Sequence, residues 1–129
     1  MSLQSLYSIS ALKISDSEIE ANITFDPGHK IFEDHFPGQA VVPGVCLIRI
    51  VKNVISKGLK SDVLLLEGSN IKFLHILDPG KHPRIHFNAK FKSSPEGKYI
   101  VTASLSYHEI VFLKFAGSLL ESSLLNSNV

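Results

Sequence analysis

The segment His29–Gly44, HKIFEDHFPGQAVVPG, gathers the residue types in this chain that could do chemistry together. His35 lies within it, and an imidazole exchanges a proton near neutral pH. Phe36, Pro37-Gly38 and Pro43-Gly44 set an unusual backbone path that leads to the start of a helix. The first amides of such a helix, near Gly44 and Val45, have no acceptor inside it, and the helix dipole lies behind them. Amides so placed stabilise a carbonyl oxygen that is gaining negative charge. A base next to an oxyanion donor suits α-proton chemistry on a thioester. Each residue also has a plainer reading: His35 as a hydrogen-bonded loop residue, Gly44 and Val45 as a mere helix start. Cys46, close to the same helix end, invites a nucleophile reading with His35. Its neighbours Val45, Leu47 and Ile48 point instead to a buried, inert thiol.

The elements that must position these groups are legible from periodicity. In Val45–Lys57 the polar members Arg49, Lys52, Asn53 and Ser56 fall on one helical face and the rest are apolar, so a largely buried helix is predicted, ending at Gly58. Period-two alternation marks strands at Ile19–Phe25, Ile85–Phe91 and Tyr99–Tyr107. Val63–Ile76 and Ile110–Leu120 are apolar in both phases, as strands covered on both faces would be. A weaker strand covers about Leu6–Ile14, its phase slipping at Ala11–Leu12. Turn signals fall at Asp26–Gly28, Asp78–Gly80 and Ser93–Gly97. The order is two strands, one buried helix, then four antiparallel strands, which an α+β sheet wrapped around one long helix satisfies.

Composition limits what such a domain can be. With 129 residues, a single domain over 1–129 is expected, its Ser/Asn-rich tail after about 121 frayed. Hydrophobic residues at 44% against 19% charged exclude a disordered chain. A net charge of +1 gives no field for nucleic acid or an anionic membrane. One cysteine excludes an intrachain disulfide and a Cys-based zinc cluster. No apolar run approaches the ~20 residues of a membrane span. The start, MSLQSLYSIS, has no signal-peptide pattern, so a cytoplasmic protein is expected.

The stretch HFPGQAVVPGV at His35–Val45 resembles the signature of the β-hydroxyacyl-acyl-carrier-protein dehydratases, written roughly HFPGxPxxPGV. Asn70–Gly80, NIKFLHILDPG, is similar to the same family's second block, and the likeness extends over roughly residues 10–120. The resemblance implies a hotdog fold, an antiparallel sheet around a central helix, assembled as a homodimer or trimer of dimers with sites at the interface. It implies an acyl carrier protein as partner, bearing the substrate on its phosphopantetheine arm, and no cofactor or metal. It makes His35 the base on the substrate α-carbon and Gly44/Val45 the amides that polarise the thioester carbonyl. Phe36, Pro37 and Gly38 then shape the substrate pocket.

The family's acid, a Glu or Asp fourteen residues after the histidine, is replaced here by Arg49. An arginine cannot donate the proton, because its pKa stays above ~12. It can hold a phosphopantetheine or substrate oxygen, or simply face solvent on the polar helix stripe. Asp34 is the nearest other carboxylate, yet adjacent residues on an extended segment point apart. Ala40, where the family has Pro, and Glu33-Asp34 before the histidine are further departures. The readings that stay open are dehydration with His35 alone, other thioester chemistry, and a non-catalytic acyl-binding partner subunit. A thioesterase would need another carboxylate, for which Glu67 is the conspicuous candidate. His82 and His86, four apart on an expected strand, are no metal pair. His75 and His108 fall at strand ends, and Phe73, Phe87, Phe91, Phe112 and Phe115 are read as core or acyl-tunnel lining.

Overall fold

Period-two alternation sorts the strands into an inner and an outer face, and the core forms on the inner one. A computed structural model describes residues 6–30 and 41–122. In chain order these form β1 (Tyr7–Ile14), β2 (Glu18–Phe25), helix α1 (Gly44–Leu59), β3 (Val63–Phe73), β4 (Arg84–Ser93), β5 (Lys98–Tyr107) and β6 (Ile110–Glu121). The strands make one six-stranded sheet in the order β1-β2-β4-β5-β6-β3, with every pairing antiparallel. Ile19, Ala21, Ile23 and Phe25 of β2 are buried beside Ile85, Phe87, Ala89 and Phe91 of β4 and Val101, Ala103 and Leu105 of β5. Register lines these residues up: Ala21 faces Phe87, Ala89 faces Ala103, and Leu105 faces Leu113.

Helix α1 packs on this inner face through Cys46, Leu47, Ile50, Val51, Val54, Ile55 and Gly58. Each large aliphatic side chain buried there contributes about 1.5–3 kcal/mol, whereas a missing N-cap costs about 1 kcal/mol. Packing therefore holds the helix, although Pro43 at its start supplies no capping side chain. At the other end Gly58 lets the helix close on β2, since a Cβ there would stand 3.1 Å from Ile19 Cδ1. Lys60 stops it in a left-handed conformation at φ 54°, its amide bonding back to Lys57 O.

The phase slip expected in the first strand is a β-bulge between Ser10 and Lys13, with Ala11 at φ 52°. Both Asp-Pro-Gly turns are built by aspartate side chains: Asp26 Oδ1 accepts from the Gly28 amide at 3.0 Å, and Asp78 Oδ1 from that of Gly80 at 2.8 Å. Gly97 turns the β4–β5 hairpin at φ 81°, which only glycine adopts freely.

Strand β3 departs from expectation. It ends at Phe73 rather than Ile76, pairs only with β6 at the sheet's edge, and is not covered on both faces by this chain. Leu65, Leu66 and Phe73 on it, and Leu74 and Ile76 beyond it, are exposed, so Phe73 is not core. The physical reason is its edge position: among the described residues no element packs outside it. On β6 the double apolar phase does bury both faces near Phe112 and Leu113, where the His82 ring covers Phe112 at 5.5 Å.

Candidate active site

The start of α1 combines free backbone donors with an apolar surface. Pro43 O accepts from the amides of Cys46 at 2.9 Å and Leu47 at 3.2 Å. Among the described residues none accepts from the amides of Gly44 or Val45. No acidic side chain occupies the first turn, so the helix itself sets no carboxylate against the positive end of its dipole. The Phe73 ring lies on Gly44, where an added Cβ would meet Cζ at 2.9 Å. A side chain at position 44 would thus displace the ring, and glycine keeps the amide approachable.

A cleft of about 240 Å³ opens beside this helix end, lined by Val41, Val42, Leu47, Phe73, Leu74, His75, Ile76 and Leu77. The Val42 amide donates to Leu77 O at 2.9 Å, which ties the segment entering the helix to the one leaving β3. Val45 is 75% exposed and Ile76 70%, which leaves apolar surface at the helix start and on the cleft wall. His75 is the histidine that lines this cleft among the described residues. Its Nδ1 lies 2.9 Å from Val111 O, which can only accept, so Nδ1 holds the proton and Nε2 of the neutral ring is an acceptor. Sequence reading passed over His75 as a strand-end residue; only the non-local pairing of β3 with β6 brings it here.

Of the residues singled out in the sequence, His35, Phe36, Pro37 and Gly38, with Glu33, Asp34 and Ala40, lie outside the described residues. Gly44 and Val45 stand at the helix start as expected. Arg49 is exposed and does not line the cleft; it lies 200° around the helix from Leu47, at ~100° per residue. Its flank carries a second polar group that sequence reading did not assemble. Asn53 Nδ2 donates to Tyr7 Oη at 2.7 Å, joining α1 to β1. Burial pushes the Tyr7 hydroxyl pKa up, opposed by the Asn53 hydrogen bond and the Arg49 charge. Burial also pushes the Cys46 thiol up against the pull of Arg49, which favours the inert-thiol reading. Glu67 is exposed at a bulge of β3, six residues from Phe73 and so about 20 Å along the strand from the helix start. The His82 ring lies tilted at 54° against Tyr107, centroids 4.8 Å apart, and His86 faces Glu20 at 3.7 Å.

One long helix on the inner face of a six-stranded antiparallel sheet is the hotdog fold, and these features mark a hotdog protein with its free amides at the helix start. The chain belongs to the ApeI-like family, described as ApeI dehydratase, whose model matches residues 11–110. Among curated proteins, none matches it. Solved structures similar to it include the dehydratase heterocomplex ApeI:P from Xenorhabdus doucetiae, at 18% identity over 89% of this chain and 98% of that one, with a TM-score of 0.64. A mutant of the thioesterase SAV0944 from Staphylococcus aureus aligns at 14% identity over 92% and 95%, TM-score 0.63. Cj0977, a sigma28-regulated virulence protein from Campylobacter jejuni, aligns at 10% over 95% and 88%, TM-score 0.69. At such identities the likeness is one of fold. Among the described residues no helix is long and apolar enough to cross a membrane.

Proposed function

We propose that this chain acts on acyl thioesters, as a dehydratase of 3-hydroxyacyl groups carried by an acyl carrier protein in fatty-acid or related lipid or polyene synthesis. The observation that carries this reading is the pair of amides at Gly44 and Val45 that no described residue accepts from, set beside an apolar cleft in a chain of the ApeI-like dehydratase family. His35 takes the α-proton while the two amides hold the carbonyl oxygen as it gains charge. The C–O bond to the 3-hydroxyl then breaks, and the proton held on His35 leaves with that hydroxyl as water. Returning the proton from one imidazole balances the reaction without the carboxylic acid that Arg49 replaces. Phe36, Pro37 and Gly38 shape the entrance, and Arg49 holds a pantetheine or substrate oxygen.

The chain works as one domain and as a homodimer. Support for the dimer comes from β3, an eleven-residue edge strand that leaves Leu65, Leu66 and Phe73 exposed. A second reading is a non-catalytic partner subunit. Arg49 in the acid's place favours it, and the ApeI:P dehydratase is itself a heterocomplex. Hydration of a short enoyl thioester, followed by loss of absorbance, decides between them. Wild-type activity that falls at least a hundredfold in His35→Ala supports the dehydratase. Silence in wild type with activity in Arg49→Glu means an intact scaffold that has lost its acid and favours the partner reading, and loss in His75→Ala alone moves the base to His75.

A further inference from the structure

The outer face of the sheet carries a concentration of charge that neither the core nor the candidate active site uses. Alternation sends Lys72 of β3, Lys114 of β6 and Lys90 of β4 outward, and the three line a groove of about 400 Å³. Lys72 and Lys114 are direct cross-strand partners. Like charges set directly opposite each other destabilise a strand pair, a cost that a fold does not incur for packing. Lysine on an edge strand commonly guards against aggregation, which accounts for Lys72 but not for Lys114 and Lys90 on inner strands. Lys72 and Lys114 have no carboxylate partner among the described residues, while Lys90 stands opposite Glu18 of β2 in register.

The shape of the groove says what would occupy it. Its floor is made of short side chains, Ser104 beside Lys114 and Thr102 beside Lys90 in register, so the lysines stand as walls over hydroxyl groups. Lys114 and Lys90 are two strands apart, about 10 Å, a gap that admits a phosphate chain. The positive strip stops at β2, where Glu18 Oε1 accepts from Asn88 Nδ2 at 2.7 Å, so a long polyanion would meet carboxylates. A second copy of this face would set lysine against lysine. We propose that this groove is a binding site for a phosphate-bearing small molecule of nucleotide size, its phosphates held between Lys72, Lys90 and Lys114 and hydrogen-bonded by Ser104 and Thr102.

The site stands apart from the thioester reading, so either can fail alone. The test is calorimetric titration of the full chain at low salt with inorganic pyrophosphate and with adenosine 3′,5′-bisphosphate, neither of which has a thioester or a pantetheine arm. Saturable binding is expected for both, weakened at least tenfold in Lys72→Ala/Lys114→Ala and unchanged in the distant Lys13→Ala. Tighter binding of the nucleotide would add a contact from its sugar or base to the phosphate site. Thermal melts of the variants confirm that they fold, which exposed positions allow. No saturable heat with either probe, or an equal loss in Lys13→Ala, overturns the proposal.

Discussion

Gly44 and Phe73 are coupled by a contact that neither would reveal alone. An Ala at position 44 must push the ring away from 2.9 Å, and the half-exposed ring is free to turn aside. Gly44→Ala is therefore expected to change stability by less than about 1 kcal/mol by urea unfolding, while enoyl-thioester turnover falls at least tenfold. Restoring turnover in the Gly44→Ala/Phe73→Ala double variant would confirm that the ring, and not the backbone, carries the effect. Tyr7 gives a pH signature. Its hydroxyl pKa is raised above the ordinary 10.0 chiefly by burial, and the Cys46 thiol is raised above 9.0 by the same cause. A folded pKa above the unfolded one contributes stability that is present below the unfolded value and lost as pH rises through the folded one. Stability should thus decline above about pH 9. In Tyr7→Phe that decline should be shallower, with about 1 kcal/mol less stability at neutral pH from the lost Asn53 bond. Denaturant titrations at pH 7 to 11 check both.

At the scale of elements, the bulge of β1 offers a clean test of backbone strain. Ala11 sits at φ 52°, where an L-residue with a Cβ costs about 1–2 kcal/mol, and it is exposed. Ala11→Gly should raise stability by up to about 1 kcal/mol, the gain reduced by glycine's extra freedom in the unfolded chain. Strand order around the helix was readable before the structure because β2, β4 and β5 alternate strictly, and even the slip at Ala11–Leu12 shows in the residue types. What failed was coverage. Val63–Ile76 is apolar in both phases, a pattern that a buried strand and an edge strand with an outside partner share. Period alone cannot separate them. The site was legible in part for a related reason. Local signals, the Pro-Gly pair and the helical stripe, located Gly44, Val45 and Arg49. Groupings made by distant pairing, Phe73 on Gly44, His75 against Val111, Tyr7 with Asn53, leave no mark at short spacing.

For the whole molecule, the exposed edge predicts self-association. Leu66 is 54% exposed on β3, and Leu66→Lys is expected to shift a dimer toward monomer by light scattering, with the fold intact by circular dichroism. The order β1-β2-β4-β5-β6-β3 has another consequence, in time rather than space. Strand β3 is made directly after the helix, yet its only strand partner among the described residues is β6, the last strand made. At ~5–20 residues per second, a ribosome needs roughly 2–10 s to travel from Phe73 to Glu121. Throughout that interval Leu64, Leu65 and Leu66 trail the nascent helix with no neighbouring strand to join. The delay is built into the topology: this stretch gains its partner strand only once β6 has been made.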